Sequence, residues 1–192
     1  MTQGTITELI MAAKSGHLVS FPTDTVPALA ALPDRAELIF TAKQRRSDKP
    51  LILMGATAED LWPYVSGTAE EMHSWQQVAK TYWPGALTLV LPASAKVPKA
   101  MNPTDPTTLG IRVPDCDLAG QILAQTGPMA TTSANKSGQP PLMAMTEIAA
   151  EFPDVFTLQT TEIKSGSGLP STVVKWTRQG WQILRQGSVK IA

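Results

Sequence analysis

Residues Met129 to Thr132 read as a short buried strand, and it runs without a break into Ser133-Ala134-Asn135-Lys136-Ser137-Gly138-Gln139-Pro140-Pro141. A hydroxyl- and amide-rich stretch with one lysine cannot be core. Residues that small and polar bring backbone N–H groups, hydroxyls and an Asn amide close to whatever binds there, an inventory that suits phosphate and carboxylate oxygens. An ordinary surface turn is the other reading.

Two more strand ends carry polar groups. Leu18 to Phe21 reads as a buried strand followed at once by Pro22-Thr23-Asp24-Thr25, at the kind of strand end where open α/β sheets bind ligands. An Asx or ST turn is the alternative. Leu109 to Val113 is a strand with Arg112 among apolar neighbours, closed by Pro114. An arginine in such a run either crosses to solvent at an edge or faces a ligand, and its place near the strand's C-terminal end favours the ligand.

Between these lie helices and further strands. Thr5 and Glu8 have capping-box spacing, which predicts a helix over Thr5 to Ser15 ending at Gly16. Asp34 is expected to cap a helix through about Lys43, and that helix delivers Lys43, Arg45, Arg46 and Lys49, interrupted by Asp48 and closed by Pro50. Cations favour helix C-termini anyway. The functional reading is an anion clamp feeding the strand Leu51 to Met54. Helices are predicted over Thr57 to Val65 and Thr68 to Tyr82, with Trp75 as core. Trp83-Pro84-Gly85 breaks the second, and Leu87 to Leu91 follows as a strand. Pro92 to Pro106, with four prolines, reads as a loop that covers a site. Asp117 is expected to cap a helix to about Gln125. A short helix over Thr146 to Phe152 and a strand over Val155 to Leu158 come next, then a small-residue loop over Ser165 to Ser171. Thr172 to Trp176 and Trp181 to Arg185 read as a hairpin around Gln179-Gly180.

The 192 residues, 43% apolar, suffice for a sizeable core and are expected to form one domain over 1–192. Sixteen basic and sixteen acidic side chains cancel, so a basic site must come from local clustering. The lone cysteine, Cys116, excludes an intramolecular disulfide and suits a reducing cytoplasm. His17 and His73 are too few for a convincing metal site or catalytic triad. No apolar run approaches the roughly 20 residues of a membrane span, and the N-terminus lacks a secretory signal. P-loop and dinucleotide fingerprints are absent. What remains is Lys43, Arg45, Lys49, Arg112 and Arg185 beside hydroxyl-rich loops, with almost no nucleophile or general base. Such a set binds and aligns anions, and suggests phosphoryl or nucleotidyl transfer by positioning and charge neutralisation.

Seven segments occur in a telling order: Pro22-Thr23-Asp24-Thr25; Lys43-Gln44-Arg45 with Lys49-Pro50-Leu51; Trp83-Pro84-Gly85-Ala86-Leu87-Thr88; Arg112-Val113-Pro114; Thr132-Ser133-Ala134-Asn135-Lys136-Ser137-Gly138; Pro170-Ser171-Thr172-Val173-Val174; and Leu184-Arg185-Gln186-Gly187. In that order they resemble the YrdC-like (TsaC) family of L-threonylcarbamoyladenylate synthases over nearly the whole chain. The resemblance implies an α/β fold, a twisted mixed sheet flanked by helices around a concave, positively lined cavity. It implies a cytoplasmic nucleotidyltransferase joining L-threonine, bicarbonate and ATP into threonylcarbamoyl-AMP and pyrophosphate. A downstream tRNA threonylcarbamoyl transferase would take the product, Mg²⁺ would accompany ATP, and weak RNA binding is a secondary expectation. Carried over by position, Thr25, Arg112, Ser133 and Ser171 would hold threonine and its carbamate; Arg45, Lys49, Thr108, Asn135 and Arg185 would line the nucleotide, with Lys43 supporting the same anions. The chain departs from the family at Val26-Pro27-Ala28, where a Tyr-Gly pair is usual, and at Met54, where longer members often have His. Ending at Ala192, it reads as the short form. The alternatives are a YciO-like paralogue and an RNA-binding or ribosome-maturation factor, against which the balanced charge counts.

Overall fold

The computed structural model describes residues 3–46, 48–159 and 166–191. Among them ten strands form one mixed sheet: β1 (Gln3–Gly4), β2 (Val19–Phe21), β3 (Ala28–Ala31), β4 (Ile52–Met54), β5 (Leu87–Pro92), β6 (Thr108–Arg112), β7 (Met129–Ser133), β8 (Phe156–Leu158), β9 (Thr172–Thr177) and β10 (Gly180–Arg185). Their spatial order is β1-β8-β2-β3-β7-β4-β6-β5-β9-β10. Helices α1 (Ile6–Lys14), α2 (Glu37–Lys43), α3 (Ala69–Tyr82), α4 (Asp117–Thr126) and α5 (Met145–Glu151) flank it.

Helix starts follow local chemistry. Thr5 accepts from the Glu8 N–H while the Glu8 carboxylate accepts from the Thr5 N–H at 2.8 Å, and Thr68 with Glu71 repeats the arrangement at the head of α3. The buried residues of α1, Leu9, Ile10 and Ala13, share one face and join the core. Trp75 is fully buried in α3 as expected, its ring edge-on to Trp176 at 6.2 Å.

Elsewhere the structure departs from the pattern. Thr57 to Val65 is not a helix: Thr57 and Asp60 close one turn on each other, and only the 3₁₀ turn Trp62–Tyr64 follows, with Pro63 supplying no N–H. Asp34 caps nothing, since it lies inside the 3₁₀ turn Pro33–Arg35 and α2 begins after Ala36 without a side-chain cap. Asp117 is the first residue of α4 behind Cys116 rather than its cap. Strand β3 has no strand signal in its alanines. It forms because it is buried along its whole length, antiparallel to both β2 and β7, so Pro22–Pro27 is the connection of a β2–β3 hairpin.

Pro92 to Pro106 is held down rather than free. Ser94 bonds the Tyr64 and Pro63 carbonyls, the Met101 carbonyl accepts from Leu51 at 3.3 Å, and Met101 and Asn102 are buried. The hairpin β9–β10 forms as predicted, with an irregularity between Ile183 and Arg185. The predicted loop Ser165 to Ser171 is described from Gly166 onward.

Trp75→Ala is expected to cost about 3–5 kcal/mol, because the vacated volume at the α3–sheet contact cannot collapse. Urea unfolding monitored by far-UV circular dichroism would measure it, and a loss below 1 kcal/mol, roughly the value of a surface change, would contradict the packing described.

Candidate functional site

Side chains alternate across a strand, so each central strand sends every second residue to one face. Thr108, Gly110 and Arg112 of β6, Thr88 and Val90 of β5, Ile52 and Met54 of β4, and Thr131 and Ser133 of β7 all face a cleft of about 570 Å³. Ser171, Val173 and Lys175 line it from β9 and the residue before it, and Arg185 from β10. Arg45 and Lys49 reach it from the segment after α2, Thr23 and Thr25 from the β2–β3 connection.

Arg112, 4% exposed, anchors one end. Its Nε donates to the Gly85 carbonyl at 3.0 Å, Nη1 to Thr25 Oγ1 at 2.9 Å, and Nη2 to Asp24 Oδ1 at 2.6 Å. Burial pushes its pKa below the ordinary arginine value while the Asp24 charge opposes the shift. It stays a cation, held by two segments distant in sequence, Asp24-Thr25 and Gly85. The donating N–H groups of Gly85, Ser167 and Gly168, to Val113, Asp24 and Thr25 respectively, fix those segments in turn. Gly166 has to be glycine, because a Cβ there would collide with the Thr23 and Thr25 carbonyl oxygens.

Opposite stands Arg185. Its Nε donates to the Ser171 carbonyl at 3.0 Å and Nη2 to Ser171 Oγ at 3.2 Å, while the Ser171 and Thr88 hydroxyls are hydrogen-bonded to each other at 2.8 Å. Partial burial and then the Arg112 charge lower its pKa. Two guanidiniums that repel each other across a shared hollow favour an anion between them.

At the far end α2 stops at Gln44, which takes the left-handed conformation (φ 50°, ψ 41°). That turn separates two cations one residue apart. Lys43, 1% exposed, points inward and donates to the carbonyls of Ser133 and Asn135 and, at 3.3 Å, to Asn135 Oδ1. Burial, with help from Arg45 and Lys49, lowers its pKa from 10.5 to about 7. Half-buried Arg45 faces the cleft instead, its Nε and Nη2 on the Lys49 and Pro50 carbonyls at 3.1 and 3.2 Å. Burial lowers its pKa and Asp48 opposes the shift. Arg46 is exposed and paired with Asp48 at 2.8 Å, a surface pair of little energetic weight.

Eight of the ten predicted site residues therefore line one cleft: Thr25, Arg45, Lys49, Thr108, Arg112, Ser133, Ser171 and Arg185. Lys43 and Asn135 stand behind its wall. Asn135 Oδ1 accepts from Ser133 Oγ at 2.6 Å, and its Nδ2 donates to the Lys136 and Gln139 carbonyls at 2.8 and 2.7 Å, so its amide is used in shaping the turn after β7. The sequence reading missed Asp24 as the partner of Arg112, although a buried arginine needs a nearby carboxylate. It also missed Thr88 and Lys175, which carry no local signal. Among the described residues no group of three or more His, Cys, Asp or Glu could hold a metal ion.

The fold and cleft together define an α/β protein that gathers guanidinium and ammonium groups from distant strands around an anion site. Residues 11–187 match the Sua5/YciO/YrdC family, described as Telomere recombination, and the chain belongs to that family. It is 33% identical to the threonylcarbamoyl-AMP synthase of Vibrio campbellii over 184 residues, covering 94% of this chain and 97% of the relative. The solved structure of Pyrococcus abyssi Sua5 complexed with L-threonine superposes with a TM-score of 0.83 at 32% identity, covering 96% of this chain; the chain spans 56% of that protein's length. Escherichia coli YciO superposes with a TM-score of 0.82 at 22% identity, covering 96% of this chain and 90% of YciO, a likeness of fold alone.

Asp24→Ala is expected to destabilise the fold by about 3–5 kcal/mol, because it strands a buried guanidinium; chemical unfolding measures this, and an unchanged midpoint would contradict the pairing. Lys43 supplies a pH test. Its native pKa of about 7 lies below the unfolded 10.5, so between those values the unfolded chain binds more protons and stability rises with pH. The stability of the wild type relative to Lys43→Met is accordingly expected to climb from neutral pH towards pH 10 in unfolding titrations. A flat difference would show that burial does not alter the proton affinity of Lys43.

Proposed function

We propose that the chain is a threonylcarbamoyl-AMP synthase, an enzyme that joins L-threonine, bicarbonate and ATP with release of pyrophosphate, the product passing to a tRNA threonylcarbamoyl transferase in the cytoplasm. The observation that carries this reading is the convergence of Arg112, Arg185, Arg45 and Lys49 on one cleft lined with Thr25, Ser133 and Ser171 hydroxyls. The full-length likeness to a protein of that name supports it. Among the described residues no helix is long and apolar enough to cross a membrane.

The reaction brings anions together. Threonine's amine attacks the bicarbonate carbon and water departs, giving a carbamate; a carbamate oxygen then attacks the α-phosphorus and the bond to pyrophosphate breaks. Neither step needs a covalent enzyme intermediate. Both need the mutual repulsion of carboxylate, carbamate and triphosphate offset in a partly dry hollow. Arg112, already oriented by Asp24 and Gly85, has N–H donors beyond its three bonds and with Thr25 receives the threonine carboxylate. Ser171 donates to the carbamate, while Ser133, whose O–H is given to Asn135 Oδ1, presents an acceptor oxygen to threonine. Arg45, Lys49, Thr108 and Arg185 take the nucleotide, and Lys43 and Asn135 hold the Ser133 turn in place from behind. With no cluster of ligating side chains among the described residues, Mg²⁺ would be held by ATP's phosphate oxygens.

The YciO and RNA readings are less favoured. YciO shares the fold at 22% identity, and the cations here turn into a cleft instead of spreading over a broad basic surface.

Incubation with labelled bicarbonate, threonine and Mg·ATP is expected to yield a threonine-dependent labelled adenylate. Arg45→Ala and Arg112→Ala are each expected to lose roughly 2 kcal/mol or more of transition-state stabilisation, by analogy with removal of one charge-assisted donor. Circular dichroism would verify the fold. Undiminished pyrophosphate release in either variant would overturn the assignment.

A further inference from the structure

We infer that Lys175 is a further contact for the nucleotide's phosphate tail and for the departing pyrophosphate; this rests on the synthase reading of the cleft.

Strand register places it. Lys175 pairs with Val90, Val90 with Gly110, Gly110 with Ile52 and Ile52 with Thr131, and this whole row faces the cleft with Lys175 as its one charge. Gly110 in the middle of the row is not demanded by crowding, since a Cβ there would lie at ordinary contact distances of 3.4 Å from Thr88 and 3.5 Å from Ile52. The bare backbone instead leaves room on the floor of the cleft. One step along β9, Val173 pairs with Arg185, so the two cations are separated by about 7 Å of strand.

Donor use distinguishes Lys175 from the arginines of the cleft. Arg112 is bonded through Nε, Nη1 and Nη2, Arg185 is tied to Ser171, and Arg45 is tied to two carbonyls. The Lys175 ammonium makes no hydrogen bond or ion pair with the described residues. Asp105 also lines the cleft, and its carboxylate accepts from the Thr107 N–H at 3.1 Å and from the Thr107 hydroxyl. Those Thr107 bonds first, and the Lys175 charge after them, hold the Asp105 carboxyl below its ordinary pKa. A carboxylate in an anion site repels the ligand unless a cation answers it. Pyrophosphate gains charge and moves as the bond to the α-phosphorus breaks. A lysine on a flexible four-carbon stem can follow that movement, whereas bonded guanidiniums cannot.

Calorimetric titration of the full chain with inorganic pyrophosphate, alongside steady-state kinetics, tests this. Lys175→Gln is expected to weaken pyrophosphate binding about tenfold or more, by loss of one charge-assisted contact, and to raise the KM for ATP while leaving the KM for threonine near the wild-type value. Lys175→Arg should recover most of the loss. Asp105→Asn, which removes a negative charge from the cleft lining, should tighten pyrophosphate binding. Pyrophosphate affinity unchanged in Lys175→Gln, an equal loss for threonine, or no gain in Asp105→Asn would overturn the assignment. A wild type that binds neither ATP nor pyrophosphate would instead defeat the synthase reading itself.

Discussion

The buried guanidinium of Arg112 is the constraint on which the rest of the structure depends. Removing a cation from water is costly unless it is paired and hydrogen-bonded. The chain meets that cost with Asp24, Thr25 and the Gly85 carbonyl. Each partner comes from a segment that would otherwise have no reason to be there. The β2–β3 connection, the turn after α3 and the Gly166–Gly168 stretch are thus drawn to one end of β6, and a wall forms around a fixed positive charge.

A second constraint is the crowding of like charges. Burial and then the Arg112 charge depress the pKa of Arg185, and burial with help from Arg45 and Lys49 depresses that of Lys43. An arrangement of this kind is unfavourable for the isolated fold and favourable for a bound polyanion, the usual tension between stability and function. The chain confines the strain by giving each cation different work. Arg112 and Arg185 are fixed by hydrogen bonds at the cleft, Arg45 is aimed into it by backbone carbonyls, and Lys43 is turned away from it to hold the loop after β7.

Much of this was legible before any coordinates. The capping box at Thr5, the helix starting at Thr68, the break at Trp83-Pro84-Gly85 and the β9–β10 hairpin all follow from chemistry confined to a few neighbouring residues. Arg112 stood out because a charge in an apolar strand requires an explanation. Features decided by distant neighbours were not legible. The alanines of β3 become a strand through burial between β2 and β7; the helix expected over Thr57 to Val65 fails for a different, local reason, a one-turn closure by Thr57 and Asp60 followed by Pro63. Spacing alone also could not tell that Lys43 and Arg45, one residue apart, face opposite ways; the left-handed turn at Gln44 separates them.

The amino-acid sequence by itself determined the inventory: which strands end in hydroxyls, which segments carry arginine and lysine, and that these add up to an anion site with almost no nucleophile. Periodicity and turn chemistry are local, so they survive in a one-dimensional reading. Only the tertiary structure decided which charges share a cleft and which support it from behind, because that depends on strand order and register across a ten-stranded sheet. Lys175 shows the difference. In the sequence it is one lysine in a strand, and its place in the cleft exists only once β9 is paired with β5.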